Sequence, residues 1–164
     1  MNTQKGLTLI EILLYITIIG IIAQGFISFT LSVASTSSKT YVIQEVQANT
    51  RMVLDVISQK IRAADNIIAP DNGNSTSTLI LDMPDTDLDL TLNVTNGVLE
   101  ITEGVASSTP ITSNRVNVSS LIFTNLAAGK KDNVKIEITI IYRAGESKEF
   151  EYSQTLQTSV NLRK

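Results

Sequence analysis

The sequence has no histidine, no cysteine and no tryptophan. Without His there is no imidazole general base, and His-dependent nucleophilic triads are excluded. Without Cys or His there is no structural zinc site of the usual kind, no iron–sulfur cluster and no disulfide framework. The 4 Phe, 4 Tyr and net charge of −3 give neither stacking platforms nor a basic footprint. No direct nucleic-acid binding is therefore expected. No cofactor and no enzymatic activity are expected either, since nothing in the sequence has a pocket signature. The 164 residues suit one domain plus an appendage.

Charge is also missing from one whole region. Of the 13 basic and 16 acidic residues, only Lys5 and Glu11 precede Lys39. The 27 residues from Ile12 to Ser38 are uncharged, and Ile12–Ala23 is almost wholly apolar. About 20 such residues suffice to cross a bilayer's hydrocarbon core as a helix. A core helix of a small soluble domain keeps one face in water and is rarely uncharged for so long. The segment therefore reads as a membrane span. A secretory signal peptide is the competing reading, with Ala34-Ser35-Thr36 as its cleavage site, but the segment is long for that.

Lys5-Gly6-Leu7-Thr8-Leu9-Ile10-Glu11, abutting the apolar run, resembles the class III signal of type IV prepilins and pseudopilins. The resemblance implies cleavage by a prepilin peptidase between Gly6 and Leu7 and methylation of the new Leu7 amine. Leu7 stands where Phe is commonest in that family. No Pro occurs before Pro70, so the kink that Pro gives many major pilins loses its usual cause.

Lys5 on the leader favours a cytoplasmic N-terminus and an extracytoplasmic head. Glu11 then lies about 6 Å below the new terminus at 1.5 Å per residue. A carboxylate at mid-bilayer costs roughly 2.5–3.5 kcal/mol on insertion scales, and less near the interface. Such a group needs a partner, and the family's partner is the N-terminal amine of a neighbouring subunit. The plainer alternative is that Glu11 snorkels to the headgroups.

From Tyr41 the pattern is amphipathic. Val46, Thr50, Val53, Leu54, Ile57, Ile61, Ala64 and Ile68 recur at steps of three or four, predicting a helix that runs to Ile68 and ends at Pro70-Asp71-Asn72-Gly73. Arg51 and Asp55 are spaced to pair on it. After Asn74 the period becomes two. Strands are expected at 78–83, 87–94, 98–102, 116–126, 134–142 and 150–162, with a hairpin at Asn96-Gly97 and a polar loop over 103–114. One-sided alternation predicts an antiparallel sheet with one wet face, covered by the amphipathic helix. The fold class is thus α+β, a long N-terminal helix on a β-sheet head. The expected divisions are a leader at 1–6, a membrane and assembly helix at 7–34, a head helix at 35–69 and a sheet domain at 70–164.

The segments RMVLDVISQKIRAA, SSLIFTNL, VKIEITIIY and YSQTLQTSVNLR resemble the minor, J-type pseudopilins. That likeness implies a structural subunit in the tip or initiation complex of a type II secretion pseudopilus, a type IV pilus or a DNA-uptake pilus. Its partners would be the prepilin peptidase, other major and minor subunits, the inner-membrane assembly platform and the lipid bilayer. An anchored extracytoplasmic ligand-binding domain that never polymerises is the alternative.

Eight carboxylates and no base lie between Arg62 and Arg115, whereas eight bases and five acids occupy Arg115–Lys164. Calcium is one reading, with Asp71, Asp82, Asp85 and Asp87 as candidates, although neither stretch matches a full calcium loop. A charge-complementary contact between adjacent subunits is a second. A solvated surface is the third, and it suffices for Asp87 and Asp89 on the polar face of a strand.

Overall fold

The computed structural model describes residues 8–84, 88–126, 133–143 and 151–163. The chain divides into two units, Met1–Thr40 and Tyr41–Lys164. The first helix, α1, runs Leu9–Ala63 over 55 residues. Nine strands follow among the described residues: β1 Asn66–Ala69, β2 Ser75–Thr76, β3 Leu79–Asp82, β4 Leu90–Thr95, β5 Val98–Glu103, β6 Thr109–Pro110, β7 Val116–Asn125, β8 Asn133–Tyr142 and β9 Ser153–Asn161. This is the expected α+β, pilin-like arrangement.

In the first unit every described residue from Thr8 to Ala34 is exposed in the isolated chain. Leu9, Ile16, Ile21 and Phe29 illustrate it, at 82%, 66%, 67% and 66% exposure. A surface so apolar on all sides has no stable place in water. Two of its threonines turn back on the backbone: the Thr17 hydroxyl donates to the Leu13 carbonyl and that of Thr30 to the Phe26 carbonyl. Such bonds spare a hydroxyl from standing unpaired in hydrocarbon.

In the second unit the pattern of α1 changes. Val42, Val46, Asn49, Thr50, Val53, Ile57 and Ile61 form one buried face. The buried Thr50 hydroxyl donates to the Val46 carbonyl at 2.7 Å, so it enters the core with its polarity met. This face packs with strand residues in one core that includes Leu79, Leu81, Leu92, Phe123, Ile136 and Ile138, all fully buried. Each such side chain contributes about 1.5–3 kcal/mol on burial.

Two antiparallel sheets enclose that core where the alternation alone predicts one. The first has the order β1-β3-β4-β5-β6 and the second β2-β7-β8-β9. Alternation reports which side of a strand is apolar, not which neighbour it pairs with. The chain leaves the first sheet after β6, and β7 then pairs with β8 from Val116↔Tyr142 to Asn125↔Val134. The hairpin at Asn96-Gly97 is present: φ is 52° at Asn96 and 75° at Gly97, the doubly positive geometry that matches strand twist. A Cβ on Gly97 would sit 1.5 Å from the Asn117 side-chain oxygen, so a larger residue there would also displace the Asn117 side chain.

Three local expectations differ. The helix stops at Ala63 rather than Ile68, because Asp65 N–H donates to the Asp82 carbonyl and residues 66–69 join the sheet as β1. Sheet pairing outweighs the helical spacing of Ile68, which is 43% exposed. Arg51 and Asp55 make no ion pair; among the described residues the ion pairs are Lys60–Glu103 at 3.1 Å and Lys135–Glu137 at 3.3 Å. The strand expected at 87–94 begins only at Leu90, and Leu88 before it is exposed. Residues 127–132 and 144–150, Phe150 among them, lie outside the described residues.

Candidate assembly site

The site suggested by the sequence lies at the start of α1. Gly6 and Leu7 are outside the described residues. Thr8 precedes the first helical residue and caps it: Glu11 N–H donates to Thr8 Oγ1 at 3.4 Å and to the Thr8 carbonyl at 3.1 Å. Thr8 and Glu11 thus have the T-x-x-E spacing of a capping box. That spacing was available in the sequence and identifies where the helix begins. The acidic side chain is also favourably placed in the first turn, where the helix dipole is positive.

The Glu11 carboxylate is exposed and has one side-chain partner among the described residues, the Tyr15 hydroxyl, which donates to Glu11 Oε1 at 3.3 Å. Leu9, Ile10, Ile12, Leu13 and Leu14 surround it in sequence, each at least 48% exposed. The arrangement is one carboxylate on an apolar rod, in the first turn of α1. Chemically it can accept hydrogen bonds and pair with a cation.

The calcium candidates do not converge. Asp85 and Asp87 are outside the described residues. Asp71 is exposed in a turn whose role is structural: Gly73 N–H donates to the Asn125 carbonyl, Asn125 N–H to the Asn74 carbonyl, and Asn125 Nδ2 to the Pro70 carbonyl. Asp82 is exposed at the end of β3. Among the described residues, no three acidic side chains lie close enough to hold an ion.

A polar clasp in the head escaped the sequence reading. Asn49 is buried on α1, and its Oδ1 accepts from Ser113 N–H at 3.0 Å. Its Nδ2 donates to the Glu45 carbonyl at 2.9 Å and to Glu45 Oε1 at 3.2 Å, while Ser113 Oγ donates to the same Glu45 oxygen at 2.9 Å. Arg115 Nη1 donates to the Tyr41 hydroxyl, and the guanidinium lies 5.8 Å from that ring's centre. The clasp pins the segment before β7 to the helix across more than sixty residues of chain. Asparagine inside an amphipathic helix gives no signal of a long-range partner, so sequence spacing could not find it. Replacing Asn49 with alanine strands the half-buried Ser113 N–H and is expected to cost about 1–3 kcal/mol. Thermal unfolding of the detergent-solubilised chain checks this, and an unchanged midpoint contradicts it.

Residues 1–23 match the family described as the prokaryotic N-terminal methylation motif. The chain therefore carries a class III signal, which supports the type IV pilin and pseudopilin family; proteins of that kind are structural rather than catalytic. Such a signal implies processing by prepilin peptidase and assembly with other pilin subunits. Signal and apolar helix together fit a single-pass inner-membrane anchor. No curated protein and no solved structure matches the chain.

Proposed function

We propose that the protein is a minor pilin or pseudopilin of the J type, a structural subunit that acts in the tip or initiation complex of a filament. Residues 1–6 form the leader. Prepilin peptidase cuts between Gly6 and Leu7, and the Leu7 amine is methylated. The subunit waits in the inner membrane with its N-terminus cytoplasmic and its head outside. It then joins the filament by packing its apolar helix among those of its neighbours.

The observation that carries this reading is the methylation motif joined to a helix that is apolar on every side. Helices in lipid gain nothing by hiding grease from grease, so association there rests on packing and polar pairing. Glu11 supplies the polar pairing, accepting from the ammonium of an adjacent chain. Outside the membrane, exclusion of water from the apolar rods adds cohesion. An anchor that never polymerised would not need a carboxylate at that depth.

Co-expression with a prepilin peptidase tests the reading. A shorter product that begins at Leu7 is expected. A chain that stays intact, or is cut near Ala34 by a signal peptidase, contradicts it.

A further inference from the structure

Glu11 is the sole charged side chain between Lys5 and Lys39, so no side-chain cation within that stretch can neutralise it. What reaches it is Tyr15, whose hydroxyl donates to Glu11 Oε1 at 3.3 Å. The two residues are four apart on α1, and a helical side chain leans toward the turn before its own. Tyr15 is therefore placed to reach back to Glu11.

The neighbouring hydroxyls are committed elsewhere. That of Thr17 donates to the Leu13 carbonyl at 2.8 Å, and that of Thr8 is engaged with the Glu11 backbone, accepting from its N–H at 3.4 Å, with no bond to the carboxylate among the described residues. For an O–H···O bond 3.3 Å is long. In hydrocarbon, however, neither partner has water to turn to. An unpaired carboxylate and an unpaired phenol are both costly there, which drives the two together. A carboxylate has about four lone-pair sites, and Tyr15 uses one. Oε2 and the remaining sites stay open to a second donor.

We propose that Tyr15 is a positioning residue for assembly. Its phenol holds the Glu11 carboxylate hydrogen-bonded while the subunit waits in the membrane, and it turns Oε2 toward the ammonium of an incoming chain. The inference rests on the reading of Glu11 as the assembly acceptor. Tyr15 and Glu11 form a two-part acceptor in which the phenol adds a fixed direction to the charge.

The test uses the full chain and Tyr15→Phe, which keeps the ring and deletes only the donor. With glutamate carboxyls labelled with carbon-13 and the unassembled protein in bicelles, the Glu11 carboxyl resonance is expected to move in Tyr15→Phe. The Glu45 and Glu103 resonances should stay in place. In cells, Tyr15→Phe is expected to be cut normally but to enter filaments roughly tenfold less, the effect of one lost bond to a charged group. In a Glu11→Gln background the same change should do nothing more, because it acts through Glu11. An unmoved carboxyl resonance overturns the proposal. So does normal incorporation of Tyr15→Phe when Glu11→Gln is defective, and that result leaves the Glu11 reading standing. Normal incorporation of Glu11→Gln overturns the Glu11 reading and the Tyr15 role together.

Discussion

Incorporation into filaments is expected to fall roughly ten- to hundred-fold when Glu11 is replaced by valine, because a hydrogen-bonded pair with a charged partner contributes about 1.5–3 kcal/mol. Membrane insertion should not suffer. Valine removes the one charge in the rod and makes the span more apolar, so the precursor inserts at least as well. Cleavage should also persist, since the proposed scissile bond at Gly6–Leu7 precedes the changed side chain. Loss of an acidic residue from the first turn weakens the helix start by only about 0.3–1 kcal/mol. The separation of effects is what matters: cut normally, inserted normally, assembled poorly. Quantifying the chain in membrane and sheared-filament fractions reads all three. Incorporation at the wild-type level would leave Glu11 with no role beyond capping and snorkelling.

The second large effect concerns the head. Phe123→Ala is expected to destabilise it by about 3–5 kcal/mol. Phe123 is the largest fully buried side chain among the described residues. It sits on β7 opposite Ile136 of β8, with Thr76 of β2 on its other side. Truncation there opens a cavity among three strands, and the β7–β8 pairing restrains its collapse. Since domains of this size are stable by only about 5–15 kcal/mol, the loss takes a large share of the total. Val105 supplies the contrast, because it is fully exposed and its truncation should leave unfolding unchanged. Denaturant unfolding of the detergent-solubilised chain distinguishes the two. A Phe123→Ala midpoint equal to that of Val105→Ala would mean that the core is not centred where the structure puts it.

Much of this was legible in the sequence, for identifiable reasons. Burial on one face of a helix leaves a period, and Val46, Val53, Ile57 and Ile61 were all expected inside and are fully buried. The Asn96-Gly97 turn was legible because few residue pairs accept positive φ twice in succession. The membrane character of the rod follows from missing charge. What could not be read was the set of choices made by distant partners. Residues 66–69 have helical spacing but are claimed by β3. The division into two sheets depends on which edges meet, and the strand faces are the same either way. The Asn49–Ser113 bond joins positions that no local pattern relates.

The candidate site divides in the same way. Glu11 stands out in the sequence as an isolated charge. Its cap on Thr8 is legible as T-x-x-E spacing, which overlaps the methylation motif. Tyr15 was hidden in an apolar run, where an aromatic residue reads as one more greasy position. Only the hydroxyl's direction separates it from Phe, and direction is a property of the structure.

The central claim is that this chain is a processed filament subunit and not a simple anchored domain. Mass spectrometry of the N-terminal peptide of the protein from its native membranes tests that most directly. The account predicts a chain that starts at Leu7 and carries a methyl group on its amine. A chain that still starts at Met1, or one that starts near Ala34, would contradict it.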